Sequence, residues 1–375
     1  MTNKQLINEF MELVQIDSET KHEGEIVGIL KEKMESLGFD VKEDDSAARS
    51  GHGAGNLIAT KKGSAEGADA IYFTCHMDTV VPGKGIKPVL KEDSYIYSDG
   101  TTILGADDKA GIAALFEMMR RINEEGTPHG DIQFIITAGE ESGLRGAKEL
   151  DPQAIRADYG YAVDSDGKVG GIVTAAPFQA KLRTVVRGKT AHAGVAPEKG
   201  VSAITIAAKS IANMSLGRID SETTANIGRF EGGQATNIVC DEVHILSEAR
   251  SINKDKLDEQ TAHMVRTFER QASLMGGSAE TDVQLMYPGF SMGEEDRVVR
   301  TATEAIRRIG REPNLMTSGG GSDGNIFNGF GVPTVTLSVG YEEIHTTNER
   351  MPVEELEKLA DLLVEIVKTA AKQEH

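Results

Sequence analysis

Four apolar runs in this 375-residue sequence end in side chains that can hold a metal or move a proton. "IYFTCHMDTV" closes with His76 and Asp78, two residues apart and so on one side of an extended chain. "FIITAGEES" closes with the adjacent pair Glu140 and Glu141. "YAVDSDG" offers Asp164 and Asp166; the place directly after the apolar run favours Asp164 and leaves Asp166 to the turn. "TVTLSVGYEEIHTTNE" brings His345 shortly after a fourth run. A fifth segment, "GADDKAG", sets Asp107 and Asp108 side by side between a glycine and a helix-like stretch. Taken alone, that pair reads as an N-cap, since a negative charge suits a helix N-terminus. Taken singly, the other residues read as caps or solvated turns, because charged residues are mostly exposed. Five segments delivering imidazoles and carboxylates together read as chemistry.

The chemistry that suits the set is a pair of divalent ions. Two histidines and three carboxylates hold two ions about 3.5–4 Å apart when one carboxylate bridges them. Imidazole and carboxylate ligands suit Zn²⁺, with Co²⁺ and Mn²⁺ as alternatives. No thiol is needed. Cys75 precedes His76 in a strand-like run and so points the other way.

The elements that must position these residues follow from periodicity. "NLIATKKG", "AIYFTCHMD", "DIQFIITAGEE" and "YGYAVDSDG" read as strands, and "AGIAALFEMMRRINEEG" as a helix between them. Strands alternating with helices predict an α/β sheet covered on both faces. In such open sheets ligands collect at the carboxyl ends of strands, where the five segments deliver their polar residues. Over 177–289 the order becomes strand, helix, strand, strand, helix, strand, which is the split βαβ or ferredoxin-like unit. That stretch holds 13 basic and 13 acidic residues, so the formal net charge of −19 lies wholly in the flanks. The reading is therefore α/β: a domain of 1–176 with 290–375 built on a mixed sheet covered by helices, and an inserted ferredoxin-like domain over 177–289.

Composition narrows the partners. A charge of −19 argues against nucleic acid and anionic membrane surfaces. No apolar run approaches the ~18 residues of a membrane span. The opening "MTNKQLINEFMELVQI" is an amphipathic helix with Leu6, Phe10, Leu13 and Val14 on one stripe, not a secretory leader. Cys75 and Cys240 are the only cysteines, each placed in a strand-like run. They read as buried free thiols of a reducing, cytoplasmic compartment.

The motifs "HMDTVVPG", "GADDKAGIAAL", "TAGEESGLRGA", "VDSDG", "RGKTAHAGVAPEKGVSAI", "GGQATNIV", "EARS", "GGGSDGN" and "IHTTNE" span nearly the whole chain. Together they resemble the co-catalytic dizinc metallopeptidases related to aminoacylase and glutamate carboxypeptidase. "RGKTAHAG" and "GGGSDGN" look most like the peptidase T branch.

The resemblance implies two Zn²⁺ per chain. It makes Asp107 the bridging carboxylate, joined to Asp108 by a cis peptide bond. It places His76 and Asp164 with Asp107 at one ion, and Glu141 and His345 at the other. Asp78 orients His76, and Glu140 is the general base. In the inserted domain, His192 of "TAHAG" matches the histidine that stabilises the oxyanion. Asn237 and Arg250 match substrate-contacting positions; an arginine can grip a carboxylate by two parallel hydrogen bonds. Asn325 falls in a glycine-rich loop that permits close approach to a ligand. The implied activity is removal of the N-terminal residue from short peptides, as by a tripeptidase. A carboxypeptidase or an N-acyl-amino-acid deacylase shares every ligand and is the alternative. A non-enzymatic metal- or peptide-binding module would need an incomplete set, and this set is complete. Many relatives are dimers built through the inserted domain, so a homodimer is a further implication, with His192 acting in cis or in trans.

Overall fold

A computed structural model describes residues 3–372. By internal packing the chain divides into two units: 1–175 with 292–318 and 322–375, and 176–291 with 319–321.

The first unit is built on a mixed sheet. Its order runs Asp40–Glu43, Leu57–Lys61, Ile132–Thr137, Ile71–His76, Tyr159–Ser165, Thr334–Ser338, Gly171–Ala176. The four central strands, from Ile132–Thr137 to Thr334–Ser338, are mutually parallel. Every residue of Ile71–His76, Ile132–Thr137 and Thr334–Ser338 is buried, as a parallel strand covered on both faces requires. Their apolar runs lack alternation for that reason. The helices Ala106–Glu125 and Val353–Ala370 pack together, and Lys4–Val14 packs on the first of them. Leu6, Phe10, Leu13 and Val14 are buried, and the Asn3 side chain accepts the Leu6 N–H as the N-cap.

Because the central strands are parallel, their carboxyl ends lie at one edge. His76 ends one strand, Glu140 and Glu141 follow a second, Asp164 lies in a third and His345 follows the fourth. The chain alternation thus becomes a spatial cluster.

The second unit is an antiparallel sheet, ordered Gly217–Arg218, Thr223–Gly232, Glu242–Ser251, Phe178–Arg187, Ser278–Tyr287. Helices Ala203–Ala212 and Lys254–Leu274 cover one face. Ala180, Leu182 and Val186 alternate inward, with Lys181 and Arg183 outward. This is the ferredoxin-like βαββαβ order. No helix of the described residues is long and apolar enough to cross a membrane.

Three local expectations are corrected. Asp107 and Asp108 stand at the start of Ala106–Glu125 but have non-helical backbone angles, so they are not a plain N-cap pair; the bond between them is cis, as the resemblance implies. Cys240 lies before the strand Glu242–Ser251 rather than in it, though it is buried. Glu140 and Glu141 sit in a turn, not in extended chain, with Gly143 N–H and Leu144 N–H both donating to the Glu140 carbonyl.

Candidate metal centre

The site in the first unit is organised around one carboxylate. Asp107 Oδ1 lies 3.0 Å from His76 Nε2, and Asp107 Oδ2 lies 3.2 Å from His345 Nε2. Asp164 Oδ1 approaches His76 Nε2 at 3.6 Å, and Glu141 Oε1 approaches His345 Nε2 at 3.0 Å. Each oxygen of Asp107 therefore serves a different histidine–carboxylate pair. Two groups of donor atoms converge within 4.8 Å: one from His76, Asp108 and Asp164, the other from His76, Asp107 and Glu141.

The backbone explains the convergence. Asp107 and Asp108 are extended and bridge-like, so their carboxylates diverge from one helix start instead of stacking as caps. Gly111, one turn on, lets the helix approach the His76 strand. A Cβ there would stand 2.5 Å from Asp108 Oδ1 and 2.8 Å from Cys75 Sγ. His76 Nδ1 is 2.9 Å from the Asp78 carbonyl, which can only accept. Nδ1 is thus the protonated nitrogen, and the lone pair of the neutral ring sits on Nε2, facing Asp107 and Asp164. The Asp78 carboxylate is 3.6 Å from Nδ1 and instead accepts the backbone N–H of Glu140 at 3.0 Å and of Glu141 at 3.3 Å.

Residues 72–369 match the profile of Peptidase family M20/M25/M40. The chain belongs to that family. Its fold superposes on the crystal structure of aminopeptidase PepT from Bacillus cereus ATCC 10987 with TM-score 0.96 and 63% identity, over 99% of this chain and 100% of that one. A tripeptidase from Staphylococcus aureus subsp. aureus Mu50 superposes with TM-score 0.96 and 53% identity over the whole of both chains. The protein YqjE of Bacillus subtilis (strain 168) is 62% identical over 99% of this chain and 100% of its own. The protein is an M20-family peptidase.

Electrostatics in the peptidase's centre follow from crowding. Burial pushes the Asp164 carboxyl up to about 7, against the pull of His76. Burial and the neighbouring Asp164 raise Glu140 well above the carboxylate range. Burial alone would lower His76, but Asp164 and Asp107 outweigh it and hold the imidazole well above its usual value. Hydrogen bonds to Asp107 and Glu141 raise His345 to about 10, against burial. Asp108 Oδ1 is buried without a hydrogen-bond partner. Buried carboxylates so numerous, with imidazole nitrogens aimed among them, fit divalent cations; the donor set is all nitrogen and oxygen, as Zn²⁺, Co²⁺ and Mn²⁺ accept.

The substrate-side residues divide. In the second unit, exposed His192 pairs by a β-bridge with Ile238, and Ala193 N–H donates to the Asn237 carbonyl at 3.0 Å. His192 and Asn237 therefore share one loop pair. His192 Nδ1 accepts the Gly194 N–H at 3.2 Å, so a neutral ring carries its proton on Nε2. Arg250 is half-engaged: Nε meets Glu248 at 2.9 Å and Nη1 meets the Gly319 carbonyl at 3.0 Å. Asn325 is fully buried, and its Oδ1 accepts the Ser322 N–H at 3.0 Å in a capping box at the helix Asp323–Gly329.

Sequence reasoning missed three residues beside the centre. Asp108 donates a carboxylate oxygen to one donor group. Tyr341 O–H donates to Asp164 Oδ1 at 3.2 Å. Buried Glu349 accepts N–H bonds from the loop that carries Asp107. Glu349 lies inside "IHTTNE", so a charged residue at the end of a recognised motif was the available signal.

Proposed function

We propose that the peptidase is a two-metal aminopeptidase that removes the N-terminal residue from short peptides, as a tripeptidase does. The observation that carries the reading is the division of Asp107 between His76 and His345, one oxygen to each. Similarity to the B. cereus aminopeptidase and the S. aureus tripeptidase supports the substrate class.

His76, Asp107 and Asp164 would hold one ion; Asp107, Glu141 and His345 the other. Zn²⁺ is the proposed metal, with Co²⁺ or Mn²⁺ as substitutes. Such a pair supplies Lewis acidity, polarising the scissile carbonyl and acidifying water. Glu140 takes the proton of the attacking water and returns it to the leaving amine, so that water and amide become acid and amine. Asp78, through its hold on the Glu140 and Glu141 amides, fixes the turn on which base and ligand sit. His192 donates from Nε2 to the oxygen that gains charge, in cis or from a partner subunit in a homodimer. Asn237 and Arg250 bind the peptide, Arg250 through its free N–H groups. The buried free thiols Cys75 and Cys240 suit a cytoplasmic enzyme.

One hydrolysis panel tests the proposal. Free dipeptides, tripeptides and tetrapeptides, N-acetylated peptides and N-acyl amino acids are offered with Zn²⁺, Co²⁺ or Mn²⁺. Release of the N-terminal residue from free tripeptides is expected. Cleavage confined to N-acylated compounds, or release from the carboxyl end, would reject it.

A further inference from the structure

Asp107 must keep both oxygens aimed in different directions, yet no regular element holds its backbone. Its φ and ψ are −83° and 102°, and those of Asp108 are −121° and 30°. Ordinary helical geometry resumes only beyond them. Something other than the helix ladder has to fix this turn.

Glu349 fills that place. It is 1% exposed. Its Oε2 accepts the Leu104 N–H at 2.7 Å and the Gly105 N–H at 2.8 Å, and its Oε1 accepts the Asp107 N–H at 3.1 Å. Three of the four backbone positions from 104 to 107 thus donate to one carboxylate. Gly105 has φ +74°, a conformation that favours glycine and turns its N–H to the same side as its neighbours'. Glu349 also lies four residues after His345, with its own N–H donating to the Thr346 carbonyl at 3.2 Å. One side chain therefore ties the segment bearing His345 to the loop bearing Asp107.

We infer that Glu349 is a positioning residue for the metal centre, setting the Asp107 carboxylate between the two ions through the backbone of residues 104–107. The inference rests on the two-ion reading above. It requires a carboxylate in particular. A glutamine offers one acceptor oxygen and turns an NH₂ group toward an N–H donor, so the three bonds cannot all survive. Because Asp107 turns one oxygen to His76 and the other to His345, loosening it weakens both ions together. Tyr341 provides the contrast: its hydroxyl touches Asp164, which belongs to one group alone.

The experiment measures Zn²⁺ binding, not turnover. Metal-free wild-type, Glu349→Gln and Tyr341→Phe proteins are titrated with Zn²⁺ against a competing chelator, far below their melting temperatures, with circular dichroism recording the fold. Loss of a residue that orients ligands costs roughly 10–100-fold in metal affinity. Glu349→Gln is expected to lose about that much at both ions, and Tyr341→Phe at one. If Glu349→Gln fails to fold, Glu349→Asp keeps the charge, shortens the reach and gives the same readout. Wild-type affinity in the Glu349 variant, or loss at a single ion, overturns the inference while leaving the two-ion reading intact. A wild-type protein that binds one ion overturns that reading and the shared loss with it.

Discussion

His76 Nδ1 is 2.9 Å from the main-chain carbonyl of Asp78 and 3.6 Å from its carboxylate, so the carbonyl is the nearer acceptor for the imidazole. The carboxylate is left to hold the amides of Glu140 and Glu141. Asp78→Ala keeps the carbonyl. It is expected to lower kcat by roughly 10–100-fold through the loosened turn, while the His76 ion is largely retained. Parallel measurement of kcat and zinc content checks this. A variant that has lost the ion but turns over normally when zinc is in excess would show the side chain acting on His76 instead.

Glu140→Gln removes the proposed base without removing a proposed ligand. Metal content and fold should persist, and kcat should fall by roughly 10²–10⁴-fold. The mirror variant, Glu141→Gln, should bind metal less tightly because Glu141 is among the converging donors. Should Glu140→Gln turn over normally while Glu141→Gln keeps its metal and fails, the two roles are exchanged.

The family and fold class were legible because their signals are local and repeated. Buried parallel strands demand unbroken apolar runs, and such runs ended in His76, Glu140, Asp164 and, after a loop, His345. The strand Gly171–Ala176 was not read, since "GIVTAA" is short, starts with glycine and ends in small residues; partners on the sheet decide it. Asn325 carries a similar ambiguity: "GGGSDGN" supports both a ligand loop and a capping box, and the capping box is visible only in the fold. Asp78's division of labour between carbonyl and carboxylate depends on sub-ångström differences that spacing does not encode.

Metal binding should release protons. An imidazole must be neutral to ligate. Without metal, Asp107 and Glu141 raise His345 to about 10, and carboxylates outweigh burial to raise His76. Without metal both rings thus favour the protonated form, and an incoming ion has to displace those protons. Apparent affinity should rise with pH until the His345 value is passed, with protons released from His76, His345 and Asp164 near neutrality. Calorimetric titration with Zn²⁺ in buffers of different ionisation enthalpy measures the release. Heats that do not depend on the buffer would contradict it.

Arg250 has five N–H groups, and the structure occupies three, two with Glu248 and one with the Gly319 carbonyl. The remaining two can meet a peptide carboxylate. Arg250→Ala should raise KM by roughly 10–100-fold for free-acid peptides, the scale of a charge-assisted hydrogen bond. Amidated peptides should be less affected, and Arg250→Lys should not restore the loss, because the planar fork is gone. Equal effects on free-acid and amidated peptides would reduce Arg250 to its structural pairing with Glu248.

His192 is the remaining test, and it concerns assembly as well as chemistry. It lies in the second unit, whereas every proposed ligand lies in the first. Its Nδ1 accepts the Gly194 N–H, which leaves Nε2–H as the free donor of an exposed ring. If that donor meets the developing oxyanion, His192→Ala should lower kcat by about 10²–10³-fold, the usual effect of losing such a donor. Zinc content should not change, because His192 is no ligand. Mixing His192→Ala with Glu140→Gln protein, under conditions where subunits exchange, separates the two geometries. Each mixed dimer would carry one intact base and one intact histidine. Recovered activity means that the histidine of one subunit serves the base of the other; demonstrated heterodimers without recovery mean that it serves its own. A His192→Ala enzyme with wild-type kcat would remove the residue from the mechanism and leave it a histidine of the 192–238 loop pair.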